Sequence, residues 1–299
     1  MKNLLKILPI AALFLACSSD NDDYTPNEGS NIVFGANIET TRAVADINNI
    51  KSEGFKVWGG FGSTTVFNGT NITLGSNSTH DTGVEWTFNT YNFYAVYPNT
   101  VAATFTAPNT FAISNYNIKE KHNTDLLIAS AAGHVYPDNG SAVGLYFTHA
   151  LAQLEFVGKS STSTAKPLLK NISIYGEGTP TTASYSNSQE WTLNSATTQA
   201  APLFTDDNND AGWELSNTGT TVANGIMVFP KTATKSVSVD LAIFNGSTTE
   251  TRTITIPAAE WKAGKIYRYT FTIDPNNDIS ITLKIKKWNE LDSSYNITF

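Results

Sequence analysis

The 299-residue chain has one cysteine, Cys17, so it can form neither an internal disulfide nor a cysteine-based zinc site. Charge is sparse: Asp, Glu, Lys and Arg together make up 15% of the residues. The balance is acidic, 19 basic against 26 acidic side chains, for a net charge of -7. A nucleic-acid partner calls for a clustered basic face, and this chain offers none. Four histidines, His80, His122, His134 and His149, are scattered, and none has a second ligand at metal-binding spacing. There is no glycine-rich phosphate loop and no serine-centred elbow, so no enzyme activity, metal or cofactor is expected. Helical periodicity is missing too, and short helical turns near 46–52 and 258–263 are the most that the pattern supports.

Ser, Thr, Asn and Gly are abundant, beside 11% aromatic residues. That mix suits many short strands joined by polar turns. In "NIVFGANI", Ile32, Phe34, Ala36 and Ile38 alternate with Asn31, Val33, Gly35 and Asn37, which marks a half-buried strand. Further strands are expected at 55–61, 84–88, 91–97, 126–130, 144–148, 151–157, 169–175, 190–194, 225–229, 236–244, 251–256, 266–273 and 279–286. Turn residues such as Gly59-Gly60, Asn68-Gly69, Pro98-Asn99, Asn245-Gly246 and Pro275-Asn276 punctuate them. The economical reading is all-β: two tandem β-sandwiches of about seven strands each, spanning 43–143 and 144–299.

The N-terminus is of another kind. Lys2 and Lys6 precede "LLKILPIAALFLA", an apolar run too short for a permanent membrane span, so residues 1–16 read as a secretory signal peptide. The stretch "LFLAC" resembles a lipobox, with Leu13 at the apolar position, small Ala16 before the cut and Cys17 as the new first residue. In bacterial lipoproteins that cysteine carries several acyl chains, enough to hold a protein firmly on a bilayer. The following "SSDNDD" resembles the acidic export tag of surface lipoproteins in Bacteroidota; it also reads as a plain solvated linker. Without residues 1–16 the chain keeps 17 basic and 26 acidic side chains, net -9. Residues 18–30 are polar and turn-forming, as a tether would be.

Several stretches in order carry a wider resemblance: "ETTRA" (39–43), "NFYAVYP" (92–98), "TDLLIAS" (124–130), "LYFTHALAQLEF" (145–156), "WKAGKIYRYTFTID" (261–274) and "ISITLKIKKW" (279–288). With the lipobox, they resemble the fimbrillin (Mfa-like) family, the type V pilins of Bacteroidales. The resemblance implies two transthyretin-like β-sandwiches on an outer-membrane lipoprotein. It also implies removal of residues 17–42 by an arginine-specific protease, cutting between Arg42 and Ala43. The groove left by Ile32, Phe34, Ala36 and Ile38 would then take a strand from another subunit, as in β-strand addition. Expected partners are other fimbrial subunits, the outer membrane through the lipid, and a host or bacterial surface ligand. The tail "YNITF", with Tyr295, Ile297 and Phe299 alternating, is the candidate donor; it equally reads as a frayed end. Arg42 equally reads as an ordinary loop arginine.

Other features have plainer readings. His149 in "FTHALAQ" is expected to be a buried, hydrogen-bonded structural histidine. The run "TDDNNDAGWE" (205–214) spaces Asp206, Asn208 and Asp210 as a calcium loop does, yet Gly212 comes one place late and Asn217 stands where Glu is needed. A solvated acidic turn accounts for it. Six tryptophans, Trp58, Trp86, Trp191, Trp213, Trp261 and Trp288, are expected mainly in the core. As a sugar-binding face they would support the alternative function, a monomeric surface lipoprotein that binds glycans or a host ligand.

Overall fold

The computed structural model describes residues 30–38, 47–118, 123–135, 141–164, 166–175, 182–186, 190–193, 204–207, 211–230, 237–244, 246–256, 260–276, 278–287 and 295–298. Among these the protein is almost entirely β, with one short helix. The first half runs β1 (Asn31–Ile38), α1 (Ile47–Glu53), β2 (Phe55–Phe61), β3 (Thr64–Ile72), β4 (Thr79–Glu85), β5 (Tyr91–Tyr97), β6 (Thr104–Thr106), β7 (Thr110–Asn117), β8 (Leu127–His134) and β9 (Val143–His149). The second half runs β10 (Ala152–Ser160), β11 (Leu168–Tyr175), β12 (Thr182–Ser186), β13 (Trp191–Leu193), β14 (Phe204–Asp207), β15 (Trp213–Glu214), β16 (Thr220–Val228), β17 (Val237–Phe244), β18 (Thr249–Ile256), β19 (Lys265–Ile273), β20 (Ile279–Lys287) and β21 (Tyr295–Thr298).

A seven-stranded strip has the order β3-β2-β5-β8-β9-β1-β4. Its β8–β9 joint is narrow, pairing only Leu127 with His149 and Ile128 with Thr148. Beyond that joint the strip turns over on itself, and its two arms face one another as a sandwich. Phe34 of β1 meets Phe67 of β3 and Phe93 of β5 edge-on at 5.4 and 5.1 Å, and Phe55 of β2 meets Phe147 of β9 at 5.2 Å. All five rings are buried, because alternation puts every second residue of each strand on the inner face.

The second half forms two five-stranded sheets. One has the order β16-β10-β19-β20-β21; the other is β14-β11-β17-β18, with β15 also on β11. Leu154, Phe156, Tyr269 and Phe271 belong to one core cluster with Leu169, Ile172, Leu241 and Ile243 from the other sheet. The chain changes sheets at Ala150–Leu151, since β9 still pairs with β8 and β1 while β10 pairs with β16 and β19. The halves also share a four-stranded sheet, β13-β12-β7-β6, in which Tyr185 of β12 lies opposite Ile113 of β7. Trp58 and Tyr94, on the outer face of the first sandwich, therefore join the same buried cluster as the second half.

The strands expected from alternation are present, with shifted ends in several. Two expected turns are not turns. Asn68-Gly69 lies inside β3, where Gly69 has φ 75° and the register slips between Val57 and Trp58 opposite, so the pair forms an irregularity in a ladder. Gly59-Gly60 lies inside β2. A Cβ on Gly60 would stand 2.0 Å from the Thr64 carbonyl oxygen, closer than any side chain permits, which is why glycine occupies a strand interior there. Replacing Gly60 by alanine is expected to destabilise the protein by about 1–3 kcal/mol. A urea titration reads this as a lower midpoint at unchanged slope.

Candidate functional site

Strand β1 is an interior strand built from a near-terminal segment. Ile32 and Phe34 are fully buried, Ala36 is 5% exposed, and Ile38 is partly buried at the strand's end. On one flank β1 pairs in parallel with β9, from Phe34 opposite Val143 to Ile38 opposite Phe147. On the other it pairs antiparallel with β4, including Val33 opposite Asp81 and Gly35 opposite Thr79. The Thr82 hydroxyl donates to the Ile32 carbonyl at 2.7 Å, and the Trp86 amide donates to the Ser30 carbonyl at 3.0 Å. Among the described residues β4 pairs with no other strand, so β1 alone joins it to the sheet. Burial of Ile32 and Phe34 stabilises by roughly 1.5–3 kcal/mol each. Without β1, those apolar slots and two rows of backbone N–H and C=O groups would face water.

The other predicted sites divide. Cys17, Ala16, Arg42 and Ala43 lie outside the described residues, as do Trp288 and Phe299. Tyr295 and Ile297 belong to β21, which pairs antiparallel with β20: Tyr295 faces Ile285 and Ile297 faces Leu283. Thus β21 is the outermost strand of its sheet, and β20 is held between β19 and β21. Leu283 of β20 is buried, so 279–287 is a core strand of its own sheet.

His149 is a buried structural histidine, and the partner that sequence reasoning missed is Asp125. His149 Nδ1 and Asp125 Oδ2 lie 2.7 Å apart, with side chains 4% and 0% exposed. The pair joins "TDLLIAS" to "FTHALAQ", and the Ala150 amide donates to the Leu126 carbonyl at 2.8 Å beside it. Burial, with the Asp125 carboxyl adding to it, pushes the neighbouring Tyr116 phenol far above its ordinary value. The Trp191 indole donates to the Ala150 carbonyl at 2.8 Å, so β13 is tied to the point where the chain changes sheets. His80 instead bonds the Thr73 carbonyl at 2.8 Å near the surface. His134 is half-buried, and desolvation lowers its pKa.

The acidic run is split between β14 and β15, which both pair with β11; residues 208–210 lie outside the described residues. Among the described residues no group of three or more His, Cys, Asp or Glu side chains could hold a metal ion. Trp58, Trp86 and Trp261 are buried, while Trp191 and Trp213 are partly buried.

Among the described residues the first strand completes a sandwich and the last lies at the edge of another sheet. A model of the fimbrillin-like family matches residues 41–288. The chain belongs to that family. No curated protein matches it by sequence. Among solved structures it is similar to a fimbrial protein from Bacteroides vulgatus, with TM-score 0.63 and 14% identity over 87% of this chain and 100% of that one. A proposed cell adhesion protein from Bacteroides uniformis gives TM-score 0.55 and 18% identity, covering 87% of this chain and all of that one. Another from Bacteroides ovatus gives 0.50 and 18%, covering 88% and 99%.

Two outcomes test this geometry. Phe34→Ala in the uncut chain is expected to cost about 3–5 kcal/mol, because a ring held between two others leaves a cavity; denaturant unfolding measures it. His149→Ala strands the Asp125 carboxyl and is expected to cost roughly 1–3 kcal/mol. A double-mutant cycle with Asp125→Ala is expected to give a coupling of about 0.5–3 kcal/mol.

Proposed function

We propose that this protein is a structural subunit of a surface fimbrium that supports adhesion. It is exported as an outer-membrane lipoprotein through Cys17, matured by cleavage between Arg42 and Ala43, and polymerised by strand exchange. One observation carries the reading: a strand lying just ahead of the family-matched region, at 31–38, is buried between two neighbours that need it. Its loss would open a slot with pockets of set size, for Ile32, Phe34 and Ala36. A second strand of alternating apolar character would satisfy both the pockets and the backbone groups.

The donor in this reading is the tail of another subunit. Four backbone positions of β21 rest on its own β20, at the end of the sheet among the described residues. Releasing so short an edge strand costs little compared with filling a buried slot. Before release, β21 also covers the edge of β20, which limits premature association.

The test compares the full mature chain with one that begins at Ala43. The uncut protein is expected to stay monomeric in size-exclusion chromatography with light scattering. The shortened protein is expected to form ladders that survive mild SDS, or to capture a synthetic 289–299 peptide. Ile297→Asp in the tail is expected to reduce ladder formation strongly. A shortened protein that remains monomeric and ignores the peptide overturns the reading. N-terminal sequencing of surface-harvested material then identifies Cys17 or Ala43 as the first residue.

A further inference from the structure

A cleft of about 100 Å³ opens where the shared four-stranded sheet meets the outer face of the first sandwich. Its walls come from four strands: Tyr94 of β5, Ser130 of β8, Tyr146 and Thr148 of β9, and Tyr185 of β12, above a floor of Ile128 and Ala129. Tyr146 is 67% exposed, one of few large apolar residues left in water among the described residues, and it flanks the cleft. The other two rings are held in place. Tyr94 stacks on Phe111 at 4.9 Å and donates its hydroxyl to the Asn109 carbonyl at 3.0 Å. Tyr185 packs edge-on against Trp191 at 5.2 Å.

The polar groups are all neutral. Ser130 and Thr148 are exposed residues, and the Thr148 hydroxyl donates to the Ile128 carbonyl at 3.3 Å while keeping its acceptor lone pairs. Tyr185 is 8% exposed, and its hydroxyl makes no hydrogen bond among the described residues. Among the described residues that line the cleft none is charged. A fitting ligand is uncharged, rich in hydroxyls, and apolar on one face.

We infer that this cleft binds a single neutral pyranose, such as the terminal residue of a surface glycan. The apolar C–H face of the sugar stacks on Tyr146, whose ring face carries the negative end of its quadrupole. The sugar hydroxyls then meet Ser130, Thr148 and Tyr185, which offer both donors and acceptors. The volume is below the roughly 300–1,000 Å³ typical of drug-sized sites, which limits the occupant to one ring. A ligand of about a dozen heavy atoms at ordinary efficiency binds with a Kd on the order of 1 mM. Because β12 comes from the second half of the chain, the cleft is complete only when both halves are folded together. In the uncut monomer β9 is held in place by β1, with Asn37 opposite Tyr146, so the binding is expected there.

Saturation-transfer NMR on the full mature chain tests it, with the methyl glycosides of glucose, galactose, mannose and N-acetylglucosamine at millimolar concentration as probes. At least one is expected to receive saturation on its ring protons. Tyr146→Ala, at an exposed position that leaves folding intact, is expected to weaken binding about tenfold. Tyr146→Phe keeps the stacking face and is expected to stay near wild type. Phe88→Ala removes another exposed ring, 68% accessible and outside the cleft, and is expected to change nothing. Absence of transfer to all four glycosides, or equal transfer in Tyr146→Ala, overturns the inference. Since the measurement uses uncut protein, either result leaves the question of fimbrial assembly to its own experiment.

Discussion

The first sandwich depends on one eight-residue strand that is hydrogen-bonded on both flanks. Most early segments of a chain decorate an edge; this one fills the middle. Its inner side chains stand among Phe67, Phe93 and Phe147, and its backbone is the only ladder partner of β4 among the described residues. Hydrophobic burial and backbone pairing therefore act at the same place, and neither can be lost without the other. The proposed assembly needs such a place, where one segment's departure creates a demand that only another strand can meet.

The second organising feature is the seam between the halves. Strands β12 and β13 return from the second half to extend the sheet begun by β6 and β7. Beneath that sheet, Trp58, Tyr94, Phe111 and Phe229 belong to one continuous core with the second sandwich. The Asp125–His149 hydrogen bond lies beside the switch between sheets, buried and short. On β10 and β19, part-buried, Arg268 donates to Glu155 at 2.6 Å, tying two parallel strands of the second sandwich. A polar bond inside a low-dielectric core is costly to leave unmade, so the Asp125–His149 bond enforces one arrangement of the strands that carry it.

What could be read from residues alone followed from period-two alternation. β1, β2 and β5 announce themselves because one face is apolar throughout. β3 does not: its "TTVFNGTNI" is polar on most positions, and an Asn-Gly pair inside it imitates a hairpin turn. The four-stranded sheet was equally hidden, since β7 and β12 pair across some seventy positions of chain and β12 has only five residues. No local pattern encodes a partner so distant. His149 could be recognised as buried from its apolar setting, yet Asp125, 24 residues earlier, becomes its partner only through the β8–β9 joint. The cleft carries no local signal either, since its three tyrosines stand on different strands, β5, β9 and β12.

The pairing of β1 also has a mechanical meaning. Drawn along its own axis, a strand laced to neighbours on both sides loads many hydrogen bonds at once, and none yields until several do. Peeled from one end, the same bonds open singly under far smaller force. Whatever segment occupies the space between β9 and β4 is thus anchored against tension in the strand direction and released readily by lifting its tip. Shear-resistant seating with an easy route for exchange is what the proposed assembly would ask of that slot.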